Sequence, residues 1–292
     1  MGKFSGFEKI VRQDEPLAMH TWFQLGGAAE FFAEPRTEDE LIGLIARCAQ
    51  EDLPVRVLGG GSNILVRDEG VPGMVIRLSA PAFASIVVKG PVLTAGGGAP
   101  LGRVVTSACH DGLAGLEVLI GIPGTLGGAL HGNAGTHASD VGQWTAGATV
   151  VTSTGEVIER TRDEMHFSYR SSSLDDLVIL EAVFQLDEDD PVDLARRMQK
   201  NWILKKQSQP MGHQSAGCVF KNPRGISAAE LIDEAGLKGT RIGGAVVSDR
   251  HANFIVAEPE CTAQDVMRLI DLIRSQVHER LDIELERELE IW

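Results

Sequence analysis

Glycine is unevenly placed along this chain, and the placement limits what the chain can build: 20 of its 33 glycines fall between residues 59 and 147. Such a stretch reads as short strands joined by tight turns, or as loops whose backbone N–H groups approach a ligand closely and point at it. Two loops stand out, "GGGSN" at 59–63, directly after a strand-like run, and "GIPGTLGGALHGNAG" at 121–135. Neither is the GxGxxG opening of a dinucleotide-binding helix or the GxxxxGK[ST] of a P-loop. Two long loops of this kind on either side of a hairpin region point to a diphosphate-containing cofactor, while tight turns between short strands remain the plainer reading.

Composition narrows the class. The 292 residues are 43% hydrophobic and 23% charged, a globular composition long enough for more than one core. The longest apolar runs, such as "LVILEAVF" at 177–184, are strand-length and far short of the ~20 residues a membrane helix needs. The first residues, "MGKFSGFEKIVRQDE", lack the apolar core of a secretory signal. A net charge of −14 disfavours a nucleic-acid binder. Residues 201–250 depart from that balance, with seven basic side chains (Lys205, Lys206, Lys221, Arg224, Lys238, Arg241, Arg250) against four acidic ones. A basic island in an acidic chain suits a small anionic ligand, or is a chance cluster of solvated side chains.

Cys48, Cys109, Cys218 and Cys261 are far apart and show none of the zinc spacings, so no metal site is expected. The reducing cytoplasm is the expected location, and structural disulfides are rare there. Cys218, in "SAGCVFKNP", then reads as a packing residue or as a reacting group.

Several elements follow from periodicity. "TEDELIGLIARCAQ" at 37–50 opens with Thr-x-x-Glu and sets Leu41, Leu44 and Ile45 on one helical face. "PLGRVVTSACHDG" reads as a short helix and "GATVVTSTGEVIERT" as a hairpin. The acidic break "DEDDP" at 187–191 is the expected domain boundary, with a helix starting at Pro191. Ser227-Ala-Ala-Glu230 opens another helix. The last long helix starts near Thr262 with Val266, Leu269, Ile270, Ile273 and Val277 inward. The terminal "IELERELEIW" alternates apolar residues and Arg287 with four glutamates, as a half-buried strand does.

"LGGGSNILVRDEG", "GIPGTLGGALHGNAG", "YRSSS", "SAGCVFKNP", "AAELIDEAGLKGTRIGGAVVSDRHANFIV" and "LERELEIW", in that order, resemble the UDP-N-acetylenolpyruvoylglucosamine reductase (MurB) family, flavoenzymes of bacterial peptidoglycan precursor synthesis. The resemblance runs from about Thr21 to the C-terminus, and the short connection after "YRSSS" looks like the type II form, which lacks an inserted substrate-covering loop. It implies an α+β chain with a PCMH/VAO-type FAD-binding fold. Two α/β subdomains would occupy about 1–80 and 81–188. A third, α+β substrate-binding domain would occupy 189–292, its last strand returning to the FAD-binding part. It also implies noncovalent FAD, NADPH as hydride donor, and UDP-N-acetylglucosamine enolpyruvate as substrate. The product would be UDP-N-acetylmuramate, a precursor for the cell wall and so for cell shape and division. No nucleic acid, membrane insertion or obligate protein partner is implied.

The chemistry behind the resemblance is specific. Hydride adds to the outer carbon of the enolpyruvyl group, charge builds on C2 and its carboxylate, and a proton must reach C2. The family's proton donor is a serine at the position of Cys218. A thiol, with an ordinary pKa of about 8.5, is a far stronger acid than a hydroxyl. Arg170 matches the catalytic arginine, able to grip a carboxylate with both arms, and Glu288 matches the catalytic glutamate. The resemblance assigns Gly59, Gly60, Gly61, Ser62, Asn63, Gly121, Ile122, Pro123, Gly124, Thr125, Gly127, Gly128, Asn133 and Gly135 to FAD. Tyr169, Lys206, Lys221 and Asn222 fall to the substrate, with Lys238 and Arg241 as further candidates. A different flavin oxidase of the same fold, or a nucleotide-sugar-binding protein without catalysis, are the competing classes.

Overall fold

The computed structural model describes residues 3–136 and 138–292, with the side chain of Arg224, one of the basic island, outside the described part. The chain forms two compact units. The first comprises Met1–Asp14, Glu30–Gly60 and Pro72–Leu204; the second comprises Glu15–Ala29, Gly61–Val71 and Lys205–Trp292.

Two sheets build the first unit. A four-stranded sheet has the order Val11–Pro16, Ala28–Ala33, Val71–Arg77, Val55–Leu58, the last two strands parallel. Helix α1 (Glu38–Gln50) covers it, burying Leu41, Leu44, Ile45 and Cys48 against Phe31, Met74 and Ile76. Thr37 caps α1 by accepting from the Glu40 amide, but the Glu40 carboxylate turns to the Arg36 backbone and guanidinium instead of completing a capping box. A five-stranded antiparallel sheet runs Val157–Thr161, Thr145–Val151, Val178–Gln185, Val92–Gly96, Ile86–Lys89. Its core also takes in α2 (Leu101–His110) and the short α3 (Leu126–His131).

Helix α4 (Pro191–Ser208) starts at Pro191, yet most of it belongs to the first unit. Its fully buried Leu194 joins the five-stranded sheet's core, and Arg197 donates to Glu117 at 3.1 Å and Asp189 at 2.6 Å. The division falls at Leu204–Lys205 rather than at the acidic break at 187–191.

The second unit packs α5 (Ala228–Glu234) and α6 (Ala263–Leu281) with a three-stranded sheet, Arg241–Ile242, Ala245–Val247 and Ile255–Ala257. Val266, Leu269, Ile270, Ile273 and Val277 of α6 are all buried, the stripe its sequence predicts. Two N-terminal segments complete this core: Phe23 and Leu65 are buried within it, and the terminal strand Glu290–Ile291 pairs in parallel with Ile64–Leu65.

Candidate active site

In the first unit the strand Val55–Leu58 ends on Gly59 and Gly60, and these meet the second glycine segment directly. A Cβ on Gly60 would lie 2.6 Å from the Gly124 Cα, and one on Gly59 would lie 2.7 Å from Thr125 Oγ1. Only glycine lets the two backbones come this close. Thr125 caps α3 through the Gly128 amide, and the Gly127 amide donates to the Gly97 carbonyl at 2.8 Å. Among the described residues, no backbone carbonyl accepts from the amides of Gly60, Gly124 or Thr125. A mostly glycine backbone whose N–H groups no described backbone carbonyl takes fits the diphosphate of a bound dinucleotide cofactor. In the second unit Gly61 packs on the His20 carbonyl and Thr21, whose buried hydroxyl has no partner among the described residues.

Arg170 belongs to the same unit as that cradle. It is the second residue of a two-residue hairpin turn between Phe167–Ser168 and Ser171–Ser172, with φ at +55°. That left-handed conformation suits glycine or asparagine, and a side chain held there at a functional site stores strain. Three contacts tie the hairpin to residues 131–135. Arg170 Nη2 donates to the Gly135 carbonyl at 3.1 Å, Ser172 Oγ to the His131 carbonyl at 3.1 Å, and Asn133 Nδ2 to the Ser168 carbonyl at 2.7 Å. The guanidinium also lies 5.1 Å from the centre of the exposed Tyr169 ring. Asn133 is 1% exposed, and its Oδ1 accepts from the Gly142 amide at 3.0 Å.

Cys218 and Glu288 lie on neighbouring backbone stretches of the second unit. Gly217, at φ +75°, turns the chain into the stretch Cys218–Lys221. This runs antiparallel to Glu286–Leu289, with Phe220 opposite Arg287 and the Lys221 amide bonded to the Glu286 carbonyl. The amides of both Glu288 and Leu289 donate to the Val219 carbonyl, at 2.8 and 3.2 Å. Two residues facing one make a bulge, which re-aims side chains. Glu284, Glu286 and Glu290 are exposed, and Glu288 is half-buried. The bulge thus singles out Glu288 and places it across from the peptide that follows Cys218. Asn63 of the first glycine loop holds it there, donating to the Glu288 carbonyl at 3.0 Å and accepting from the Glu290 amide at 3.1 Å.

The opposite edge of the Cys218 stretch is gripped by Asn253, a residue to which the sequence assigned no role. It is 2% exposed; its Oδ1 accepts from the Phe220 amide, its Nδ2 donates to the Phe220 carbonyl, and its own carbonyl accepts from Val219. Its place in "DRHANFIV" between polar and apolar residues was the available signal. All four cysteines are free thiols. Burial pushes Cys48, Cys109 and Cys261 up to about 11, whereas Cys218 is only half-buried.

The substrate candidates are less concentrated. Lys221 donates to Glu286 at 2.6 Å, Lys238 to Asp233 at 2.6 Å, and Arg241 to Glu258, so much of the basic island is locally neutralised. Asn222 Oδ1 accepts from the Ala228 amide at the start of α5, and Lys206 is exposed near the end of α4. Two surface cavities, one lined by Ala49, Pro54, Ser153 and Leu177 and the other by Val87, Lys89, Val92 and Thr94, involve none of the expected site residues.

Comparison with known proteins decides the family. The chain is 42% identical over 284 residues to UDP-N-acetylenolpyruvoylglucosamine reductase 2 of Symbiobacterium thermophilum, covering 97% of this chain and 92% of that protein. This chain belongs to the UDP-N-acetylenolpyruvoylglucosamine reductase family. The Bacillus subtilis reductase is 39% identical over 284 residues, covering 96% of this chain and 93% of the relative. Residues 209–292 match the family's C-terminal domain, and residues 29–161 match an FAD binding domain. The crystal structure of the reductase (MurB) from Thermus caldophilus superposes with a TM-score of 0.83 at 39% identity, covering 97% of this chain and 99% of that one. The mixed helix-and-sheet architecture is therefore the family's PCMH-type FAD-binding fold with its C-terminal domain.

Proposed function

We infer that this chain is an FAD-dependent UDP-N-acetylmuramate dehydrogenase, reducing UDP-N-acetylglucosamine enolpyruvate with NADPH. The observation that carries this reading is near full-length kinship, at about 40% identity, with reductases of that name. The cradle of Gly59, Gly60, Gly124, Thr125 and Gly128 in the first unit supports FAD as the group held, and the family resemblance of "GGGSN" adds Gly61, Ser62 and Asn63. Bound there, FAD would supply hydride chemistry, with NADPH as the reductant and the enolpyruvyl double bond as the acceptor.

The chain's own residues handle charge and proton. Arg170 takes the substrate carboxylate and stabilises the charge that spreads into it, its planar fork matching the two oxygens. Cys218 gives its thiol proton to C2, which completes the saturated lactyl ether and leaves a thiolate that regains a proton from solvent. Glu288, facing the Cys218 stretch across the bulge, polarises the same reacting centre. Lys221 and Asn222 follow Cys218 in the chain and bind the UDP-sugar with Lys206 and Tyr169, Lys221 sharing its charge with Glu286. Among the described residues no helix is long and apolar enough to cross a membrane. The reading places the reaction in the cytoplasm, where NADPH is supplied.

The experiment is direct. Purified protein should be yellow, release free flavin on acid denaturation, and oxidise NADPH only when the enolpyruvyl substrate is present, yielding UDP-N-acetylmuramate by mass. A colourless protein, or NADPH oxidation indifferent to that substrate, would remove the assignment.

A further inference from the structure

We propose that Asn133 is a positioning residue for Arg170, holding the hairpin that carries it, and is not a side-chain ligand of the cofactor. The proposal rests on the reading of Arg170 as the group that grips the substrate carboxylate.

The geometry runs from backbone to side chain. Arg170 occupies a left-handed position without being glycine, and such a conformation persists only where the surroundings enforce it. Its backbone is enforced two residues earlier, where Asn133 Nδ2 donates to the Ser168 carbonyl at 2.7 Å. Asn133 Oδ1 simultaneously accepts from Gly142, and Gly142 lies so close to Phe167 that a Cβ there would fall 2.2 Å from its ring. One buried amide therefore joins the hairpin's first strand to the segment against which Phe167 packs. The guanidinium is held separately, by the Gly135 carbonyl. Asn133 itself has φ at +44°, a region that asparagine tolerates and most side chains do not. The position thus demands both a left-handed backbone and a short amide, which asparagine alone combines.

Asn133→Gly isolates the hydrogen bonds, because glycine accepts the same φ while deleting the amide. Asn133→Asp is the second variant: it keeps the bond from Gly142 and loses donation to Ser168. Each is made alone and with Arg170→Lys, and each is followed by FAD content, by bleaching of the flavin with NADPH, and by its reoxidation with substrate. Misplacement by about 1 Å can cost on the order of 10²-fold. We expect full FAD content, reduction within about twofold of the parent, and reoxidation slowed by about 10- to 100-fold. In the Arg170→Lys background the further loss should shrink to about twofold, since residues that act through one another do not add. Undiminished loss in that background would overturn the proposal, as would lost FAD with normal reoxidation of the flavin-loaded fraction. If Asn133→Gly does not fold, Asn133→Asp must show the same selective loss or the proposal falls. A parent enzyme not reoxidised by substrate would instead refute the functional reading, and the proposal with it.

Discussion

Glu288 shares its strand-like segment with three other glutamates, and one bulge separates it from them. Glu286 is 74% exposed and pairs with Lys221, an interaction worth about 0–1 kcal/mol at a surface. Glu288→Gln should therefore lower kcat by at least about tenfold with an unchanged melting temperature, while Glu286→Gln and Glu290→Gln stay within about twofold. Equal effects at all three positions would refute the role given to the bulge. Arg170→Lys keeps the charge and loses the fork, so turnover should fall by about 10²-fold with FAD retained; near-normal turnover would count against Arg170. The motifs put forward one glutamate and one arginine as candidates, Glu288 and Arg170. The bulge and the left-handed turn were not legible there, because each depends on a partner distant in sequence, Val219 for one and Asn133 with Gly135 for the other. Asn133, in "HGNAG", bonds the Ser168 carbonyl and the Gly142 amide, contacts that no local motif announces.

The glycine loops carry the same lesson at the level of elements. Their density indicated close approach of backbone to something, and the structure shows that the first close approach is of one loop to the other. A Cβ on Gly60 would meet backbone, which cannot swing aside as a flexible side chain can. Gly60→Ala should leave the circular dichroism spectrum unchanged while the purified protein loses most of its flavin absorbance; full retention of flavin would show that the cradle is elsewhere. Helices with strong 3.6-residue periodicity, α1 and α6, and the hairpin of Thr145–Val151 with Val157–Thr161 were readable because their signals are local. The terminal segment was less so. Its regular alternation predicts a continuous strand, but only Glu290–Ile291 is one, since Arg287 makes a single bridge to Phe220 and the bulge at Glu288–Leu289 follows it. At the acidic break Asp189, although exposed, accepts from Arg197 of α4 at 2.6 Å, so contacts cross the stretch.

At the scale of the molecule, chain order and spatial order part company. Glu15–Ala29 and Gly61–Val71 fold with the C-terminal residues, so the first glycine loop is divided, Gly59 and Gly60 in one unit and Gly61 to Asn63 in the other. No composition shift marks that exchange. Arg170 lies in one unit, and Cys218 and Glu288 lie in the other. The central claim is that Cys218 is the acid of the substrate-driven step, and rapid-mixing absorbance on the two half-reactions tests it most directly. In Cys218→Ala, NADPH should bleach the flavin at close to the parent rate. Reoxidation by the enolpyruvyl substrate should slow by about 10²- to 10⁴-fold, the span of a positioned general acid. Cys218→Ser should recover much of that loss, because a hydroxyl at the same place can donate a proton. Normal reoxidation in Cys218→Ala would contradict the account and leave the thiol a packing group.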